Sequence, residues 1–326
     1  MKIGIIGGYG HESIHAHPEA EFAWADDGYD HQSATRATSR GGRHFADMAT
    51  LLREFDPTII YIGSAYARNG TLAAAALRAG KSVVCEKPLA SSPEDLLTLR
   101  TLTESTGLHI VAEYTMRWHP SVLKVREIVQ SGALGRPIMV QGQKTYKFGA
   151  SRPDFYRQRA TFGGIIPWVA SHAIDYCSWC TGLAYLSVSA SHGNRAFPDY
   201  PGMEDHAALF FQMAGQIPCL ITADFLRPQG AATHGDDRLR ITGEKAVVEM
   251  IDHDVTLIDA AGTHHWHCPT TATCDIQRAR DLVSAALGGP GLLSMAESFT
   301  VTAATLAART AADTHAQTGR LAEIEI

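Results

Sequence analysis

The stretch Ser82-Val83-Val84-Cys85-Glu86-Lys87-Pro88-Leu89-Ala90 tells most about how this chain folds. Its first four residues are small or apolar and predict a short buried strand. Ser92 and Pro93 then begin a helix, as N-cap and first helical residue. A strand that leads directly into a helix is typical of open parallel sheets, which bind their ligands at the carboxyl ends of the strands. Lys87 is therefore expected at a ligand-binding edge.

Lys87 is a candidate catalytic residue because burial and neighbouring charges can move the pKa of a lysine toward neutrality. Its place at the end of a mostly apolar strand, rather than on a solvated helix, favours such a role. The alternative is an ordinary strand-end lysine in water, and this stretch alone leaves both interpretations open.

The composition predicts a globular protein of about two domains. Of its 326 residues, 45% are hydrophobic and 19% are charged, and the formal net charge is −6. No run of Lys and Arg suggests a nucleic-acid partner, and no apolar run reaches the ~18 residues that a membrane-spanning helix needs. The chain opens on a strand pattern, so we expect no signal peptide, and its six cysteines are scattered. We therefore expect a cytoplasmic protein with reduced thiols.

The first third of the chain alternates short apolar strands with helices. Strands are predicted over Lys2–Ile6, Glu21–Ala25, Thr58–Ile62, Ser82–Cys85 and His109–Ala112, and helices over Ala46–Phe55, Gly70–Ala79 and Pro93–Ser105. Repeated alternation of this kind predicts a doubly wound parallel sheet. We therefore expect residues 1–116 to form an α/β domain.

Residues 117–326 are expected to form a second domain of the α+β class. Long strands separated by turn signals favour a large, mostly antiparallel open sheet with helices on one face. The predicted strands are Ile138–Lys147, Leu186–Ser191, Ala207–Met213, Ile217–Phe225, Arg238–Thr242, Ala246–Ile251 and Val255–Asp259. The predicted helices run from His119-Pro120 to Gln130 and over Trp168–Cys180, Ile276–Leu287 and Met295–Thr314.

A glycine-rich loop, Gly7-Gly8-Tyr9-Gly10-His11-Glu12, follows the first strand, where dinucleotide-binding domains place a G-x-G-x-x-G fingerprint. Counted from Gly7, the second and third glycine positions fall on Tyr9 and Glu12. Counting from Gly8 restores the second glycine but puts a serine at the third position. The loop therefore leaves open a domain that binds a dinucleotide and one that has lost this ability.

Asp26 follows Gly7 by 19 residues, close to the spacing at which a carboxylate binds the adenosine ribose. This spacing favours NAD over NADP. Arg36, Arg40 and Arg43 lie close enough in sequence to hold a 2′-phosphate, so NADP stays the alternative cofactor.

A second candidate site lies in Gly163–Asp175, which combines a glycine turn, a helix started by proline and a histidine. His172 and Asp175 are three residues apart and Trp168 and His172 are four apart, so each pair shares a helix face. An imidazole has a pKa suited to accepting a hydroxyl proton near neutrality. From these residues alone, the alternative is a core histidine paired with Asp175.

Two other patterns are interpreted as structural. Cys177 and Cys180 lie within a predicted helix rather than at a strand-to-helix turn, which argues against a redox pair. His264–Cys268 contains metal-ligand residue types, but successive residues of a strand point to opposite faces. No metal site is therefore expected.

Three segments together resemble the Gfo/Idh/MocA family of NAD(P)-dependent sugar and cyclitol oxidoreductases. They are Glu86–Ala90, Met116–Pro120 and Gly163–Asp175, in the family's order, and the resemblance extends over most of the chain. It implies an N-terminal Rossmann domain for the dinucleotide and a C-terminal domain for substrate binding and oligomerisation. A homodimer or homotetramer is the implied assembly.

The resemblance also implies a reaction, the transfer of hydride between the nicotinamide and a hydroxyl-bearing carbon of a sugar, polyol or cyclitol. In this reaction Lys87 would hydrogen-bond the reacting oxygen and His172 would accept its proton. The residues expected at the substrate are Arg117, Trp168, Tyr146, Tyr156 and Asp175. The residues expected at the cofactor are Gly7, Gly8, Tyr9, Gly10, His11, Asp26, Ser64, Ala65, Glu86 and Lys87.

Three departures from the family's pattern, one of them the irregular glycine loop, keep other functions open. Trp168 stands where the family usually has Asp, four residues before the histidine, and its indole can stack on a sugar ring. Ser64–Asn69 replaces the family's T-P-N-x-x-H. The alternatives are a lyase- or glycosidase-type enzyme that uses bound NAD transiently and a non-catalytic sugar-binding protein.

Overall fold

A computed structural model describes residues 1–29, 32–150, 152–318 and 322–323, with side chains up to residue 314. The chain divides into two compact units. The first contains Met1–Tyr114 and Ala272–Thr302, and the second contains Thr115–Thr271 and the chain from Ala303 onward. Each unit holds one sheet.

The first unit contains a doubly wound parallel sheet. Its strands are β1 (Lys2–Gly7), β2 (Glu21–Ala25), β3 (Arg43–Phe45), β4 (Ile59–Gly63), β5 (Ser82–Cys85) and β6 (Ile110–Ala112). They lie in the order β3-β2-β1-β4-β5-β6, with every neighbouring pair parallel. This is the strand order of dinucleotide-binding domains, and it confirms the predicted α/β fold.

Helices connect these strands, as a parallel sheet requires. Those in the described part of Met1–Tyr114 are α1 (Gln32–Ser39), α2 (Met48–Glu54), α3 (Asn69–Arg78) and α4 (Pro93–Thr106). Helix α4 begins as predicted, because the Asp95 amide donates to Ser92 Oγ at 3.1 Å. After β1, where this fold usually begins a long helix, the chain forms only a 3-10 turn over Ser13–Ala16.

The second unit contains a nine-stranded sheet, and the predicted open, mostly antiparallel sheet is confirmed. Its strands are β7 (Pro137–Tyr146), β8 (Tyr185–Gly193), β9 (His206–Met213), β10 (Ile217–Asp224), β11 (Gly235–Gly243), β12 (Val247–Ile251), β13 (Asp254–Asp259), β14 (Gly262–His267) and β15 (Ala322–Glu323). The order is β14-β13-β12-β11-β7-β10-β9-β8-β15, and β7 with β10 is the parallel pair.

The remaining described helices are α5 (Pro120–Gln130), α6 (Arg159–Phe162), α7 (Ser171–Thr181), α8 (Ala272–Ala286) and α9 (Met295–Thr318). Helices α5 and α7 pack on each other, and α7 packs on β7. A π-helical turn over Ile166–Ala170, with Pro167 in its first turn as predicted, precedes α7, so the helical segment begins two residues before the predicted Trp168. None of the helices described here is long and apolar enough to span a bilayer.

Helix α8 belongs to the first unit, although the sequence analysis assigns it to the second domain. It packs against β5 and β6, and Ser298 Oγ at the start of α9 accepts a hydrogen bond from the Ala112 amide at 3.1 Å. The chain therefore returns to the first sheet after completing most of the second. The order of elements along the sequence does not reveal which sheet such a helix covers.

Candidate active site

Lys87 lies directly after β5, at the carboxyl edge of the first sheet, and its side chain is fully buried. The interpretation of Lys87 as a solvated strand-end lysine is therefore wrong. Its amide donates to Glu86 Oε2 at 2.9 Å, and the Lys87–Pro88 peptide is cis. The buried Lys87 thus lies at the edge where open parallel sheets bind their ligands, as predicted, and its catalytic role stays a prediction.

The Glu86 side chain links the glycine loop to the end of β5 through its contacts with His11. Its Oε1 accepts a hydrogen bond from the His11 amide at 3.0 Å and contacts the His11 imidazole. Asn69, at the position of the histidine in the T-P-N-x-x-H pattern, donates to the Glu86 carbonyl at 3.0 Å. Burial raises the pKa of the Glu86 carboxyl, but the charge and hydrogen bonds of His11 outweigh it and hold the pKa below its usual value.

The glycines of the loop are required by contacts within the first unit. Gly7 has a φ of 90°, and a Cβ there would lie 2.4 Å from the Gly63 carbonyl oxygen. Gly10 has a φ of 121°, and a Cβ there would lie 2.7 Å from Glu86 Cγ. The Tyr9 amide donates to the Gly63 carbonyl at 2.8 Å. The loop thus lies on the ends of β4 and β5, the position of a dinucleotide loop in this fold.

A buried hydrogen-bond network beneath this loop was not predicted. The Tyr61 hydroxyl donates to Glu113 Oε2 at 2.6 Å and accepts from the Glu12 amide at 3.0 Å. The Ser13 amide donates to Glu113 Oε1 at 3.1 Å. Burial raises the pKa of the Glu113 carboxyl, and the negative charge of Glu86 raises it further. Tyr61 therefore connects the loop to β4 and to the end of β6.

We expect Tyr61→Phe to lower the free energy of unfolding by about 1–3 kcal/mol, because a buried carboxylate and a buried amide lose their partner. Urea denaturation of the two proteins measures the difference. Tyr29→Phe, at an exposed tyrosine of the same unit, is the control and should change stability by less than about 0.5 kcal/mol. Equal stability of Tyr61→Phe and the parent protein would show that the network contributes little.

Asp26 and Asp27 follow β2 and have different partners. Asp26 accepts a hydrogen bond from Ser33 Oγ and lies 3.1 Å from His44 Nε2, with 16% of its side chain exposed. Asp27 is buried and accepts a hydrogen bond from the Ser64 hydroxyl. Ser64 was expected at the cofactor, and its hydroxyl already donates to this carboxylate. Asp26 is the accessible carboxylate of the two, at the spacing predicted for the adenosine ribose.

Gly8 and Ala65, also expected at the cofactor, are buried. A Cβ at Gly8 would lie 2.6 Å from Gln32 Cβ, so the loop packs against the start of α1 as well as on the sheet. A loop that only glycine can form, at the carboxyl edge of this sheet, and an accessible Asp26 fit a bound dinucleotide.

In the second unit, Arg117 and Asp175 form a buried ion pair. Arg117 Nε lies 3.0 and 3.1 Å from the two carboxylate oxygens, and Nη2 lies 2.7 Å from Oδ1. The guanidinium carbon also lies 5.1 Å from the centroid of the Trp179 ring, at a cation–π distance. The two side chains that were expected at the substrate thus bind each other, and their contact with substrate stays a prediction.

His172 lies in the first turn of α7 and is buried, as is Trp168 in the preceding π-helical turn. Asp175, which the sequence offers as a partner for His172, binds Arg117. Lys87 belongs to the first unit and His172 to the second. That the two groups act on the same substrate oxygen stays a prediction.

The two tyrosines expected at the substrate differ in their surroundings. Tyr146, at the end of β7, is half-buried and stacks on His234 with a centroid distance of 5.2 Å. Tyr156 is buried between Phe155 and Phe162, each with a centroid distance of 4.7 Å. Packing is therefore the role that the structure supports for Tyr156, and its substrate role stays a prediction.

A second buried ion pair, between Lys144 on β7 and Asp237 on β11, was missed. Lys144 Nζ donates to Asp237 Oδ2 at 2.6 Å. Burial alone would lower the pKa of Lys144, but the charge and hydrogen bond of Asp237 raise it above its ordinary value. The sequence contained a signal for this pair, because Val140, Gly142 and Lys144 are two residues apart and therefore lie on the same face of a strand. A lysine on a buried face needs a partner.

Two of the three histidines of β14 have carboxylate partners. His267 Nδ1 lies 2.7 Å from Asp254, and His264 Nε2 lies 3.5 Å from Asp259. Within the described ranges, no group of three or more His, Cys, Asp or Glu side chains could hold a metal ion.

Comparison with known proteins identifies the family. Residues 1–114 match the family model "Oxidoreductase family, NAD-binding Rossmann fold", and residues 122–249 match "GFO/IDH/MocA C-terminal domain". A solved structure from Thermotoga maritima, described as an oxidoreductase, is 31% identical with a TM-score of 0.90 and covers 99% of this chain and 100% of that one. The chain belongs to the Gfo/Idh/MocA family. This confirms the resemblance that the three sequence segments indicate.

Two further proteins resemble this Gfo/Idh/MocA member. Inositol 2-dehydrogenase 2 of Saccharopolyspora erythraea is 27% identical over 183 residues, which are 56% of this chain and 51% of that protein. The chain therefore spans about half the length of this curated relative. Levoglucosan dehydrogenase in complex with NADH has a TM-score of 0.84 at 17% identity and covers 100% of this chain and 99% of that one. At this identity the likeness shows a shared fold.

Proposed function

We propose that the chain is an NAD-dependent dehydrogenase that moves hydride between the nicotinamide and a hydroxyl-bearing carbon of a sugar, polyol or cyclitol. The observation that carries the proposal is the fully buried Lys87 at the ligand-binding edge of a doubly wound sheet. The N-terminal family model, an NAD-binding Rossmann fold, supports the cofactor. A relative that is an inositol 2-dehydrogenase supports the substrate class.

The chemistry follows from two side chains. Bound NAD would supply the hydride acceptor. His172 would accept the hydroxyl proton of the substrate, because a neutral imidazole is a base near neutral pH. Lys87 would donate a hydrogen bond to the same oxygen and stabilise the negative charge that develops as the proton leaves. Trp168 would stack on the apolar face of a sugar ring.

The first unit favours NAD over NADP. Asp26 offers an accessible carboxylate, which accepts hydrogen bonds from ribose hydroxyls and repels a 2′-phosphate. The three arginines that left NADP open each have a contact in this unit: Arg36 with Glu12, Arg40 with His15 and Arg43 with the ring of Phe45. A 2′-phosphate would therefore have to compete with an existing contact at each of these arginines.

We expect NAD to bind about tenfold or more tightly than NADP, which is about 1.4 kcal/mol, because Asp26 repels the added phosphate. Asp26→Asn should remove most of this difference. Calorimetric titration with each dinucleotide measures both affinities. Glu21→Gln, at the exposed start of β2, is the control and should keep the preference. Tighter binding of NADP by the parent protein would contradict the assignment of Asp26.

The activity is tested with NAD and a panel of sugars and cyclitols that includes inositol and levoglucosan, followed at the absorbance band of NADH. We expect NADH formation with at least one member of the panel. Consumption of substrate without net NADH would favour the lyase- or glycosidase-type alternative. Binding of sugar without binding of NAD would favour the non-catalytic alternative.

The outer face of the second sheet supports the predicted homodimer or homotetramer. Leu220 on β10 lies directly opposite Phe210 on β9, and they are 42% and 41% exposed. Ile251 on β12 and Ile258 on β13 are also exposed, and β7 and β11 separate them from β10. Exposed apolar side chains that lie side by side, as Leu220 and Phe210 do, are typical of interaction surfaces. The assembly and the cytoplasmic location stay predictions.

A further inference from the structure

Glu12 has an unusual place in the glycine loop. It stands at the third glycine position counted from Gly7, and its φ of 47° and ψ of 34° are a left-handed conformation that favours glycine. Its amide donates to the Tyr61 hydroxyl, and its side chain is only 2% exposed. The loop therefore carries a buried carboxyl group where the fingerprint has a hydrogen atom.

The three buried carboxyl groups at this loop differ in the hydrogen bonds that they accept. Glu86 accepts from two backbone amides, at 3.0 and 2.9 Å. Glu113 accepts from the Tyr61 hydroxyl and the Ser13 amide. Both carboxyl oxygens of Glu12 are buried and accept no hydrogen bond from the part of the chain that the structure describes. Hydrogen bonds stabilise the ionised form of a carboxyl group, and Glu12 lacks the hydrogen bonds that Glu86 and Glu113 accept.

Charged and titratable groups face Glu12 from the elements packed around the loop. They are Arg36 and Arg40 on α1, Glu86 after β5, Glu113 after β6 and the Tyr61 hydroxyl on β4. His15 on the 3-10 turn contacts Arg40. Arg36 Nε is 3.9 Å from Glu12 Oε1, and its side chain is 41% exposed, so water competes for this ion pair.

We propose that Glu12 takes up a proton when the dinucleotide binds, so that the affinity for NAD falls as the pH rises. The proposal rests on the proposed function, because it needs a diphosphate at this loop. The diphosphate brings further negative charge to a group that already faces Glu86 and Glu113. A buried charge without hydrogen bonds is neutralised under such conditions. The neutral acid also gains an O–H donor, which the ionised carboxylate lacks.

The surroundings of Glu12 already favour its neutral form. Burial raises the pKa of its carboxyl, and the charges of Glu113 and Glu86 add to that effect, while Arg36 and Arg40 oppose it. The net shift is upward. A bound anion raises this pKa further. NAD therefore binds most tightly below the pKa that Glu12 has in the free protein, where Glu12 is already protonated. The effect is lost as the pH rises through the pKa of the complex.

Calorimetric titration with NAD, in buffers that differ in their enthalpy of ionisation, measures the protons taken up per bound NAD. We expect uptake approaching one proton where Glu12 is ionised in the free protein and protonated in the complex. Over that pH range the Kd should rise about tenfold per pH unit. Glu12→Gln, which is similar in shape and always neutral, should take up no proton and should have a Kd that does not depend on pH there.

Two more variants keep the test decisive. Glu12→Gly suits the left-handed backbone and should behave like Glu12→Gln if the glutamine variant does not fold. Glu21→Gln, at an exposed position, should keep the uptake of the parent protein. NAD binding without proton uptake, or uptake that persists in both Glu12 variants, overturns this inference and leaves the dehydrogenase proposal intact. Failure of the parent protein to bind NAD overturns both.

Discussion

Lys87→Met is expected to lower the rate of NADH formation by about 10²–10³-fold, the usual cost of removing a donor that stabilises a developing oxyanion. Methionine keeps the length and apolar character of the buried side chain but carries no charge, so the fold should persist. The rate is measured with NAD and the best substrate of the sugar and cyclitol panel. Calorimetry with NAD shows whether the variant still binds the cofactor.

Lys81→Met is the matched control for this experiment. Lys81 immediately precedes β5, at the opposite end of the strand from Lys87, and its ammonium group binds Asp56 at 2.7 Å. Its removal should leave turnover within about twofold of the parent protein, because surface ion pairs contribute little to stability and this one lies away from the ligand-binding edge. If the Lys87→Met variant turns over as fast as the parent protein, Lys87 does not stabilise the reacting oxygen and its assignment is wrong.

Asp175→Ala is expected to lower the free energy of unfolding by about 3–5 kcal/mol, because it leaves the buried Arg117 guanidinium without its counter-charge. Replacing both partners by apolar residues, as in Arg117→Met with Asp175→Leu, should restore most of this loss, since neither charge then remains buried. Urea denaturation midpoints, with slopes checked for constancy, measure both effects.

An exposed ion pair of the same unit provides the comparison. Lys124 binds Glu127 at 2.8 Å on the surface of α5, and Glu127→Ala should cost less than about 1 kcal/mol. If Asp175→Ala costs as little as Glu127→Ala, the buried pair does not stabilise the second unit. If the double variant is as unstable as the single one, burial of an unpaired charge is the wrong explanation.

The sequence predicted the elements whose apolar pattern is strong. The limits of β2 and β5 were predicted to the residue, and both are short apolar runs that end at charged residues. Helix α1 was missed because its sequence, QSATRATS, is almost entirely polar, with only Ser33 and Ala37 buried. Strand β3 was missed because three residues are too few to show an alternation.

Site residues that belong to a local sequence motif were predictable. Pairs of residues that are distant in sequence and meet only in the folded chain were not. Lys87 was placed at a strand end by its neighbours in sequence. The pairing of Arg117 with Asp175 joins residues 58 positions apart, and the Tyr61–Glu113 bond joins residues 52 apart. No spacing rule relates such pairs, because the register of the sheets and the packing of helices bring them together.

The proposed chemistry requires that hydrogen move directly from a substrate carbon to the cofactor. The most direct test uses sugars and cyclitols deuterated at their hydroxyl-bearing carbons, with mass spectrometry of the NADH that forms. We predict one deuterium in each NADH molecule and none in NADH from unlabelled substrate. The contradicting result is product without labelled NADH, with the deuterium either retained in the product or lost to water. That result would rule out net hydride transfer to NAD.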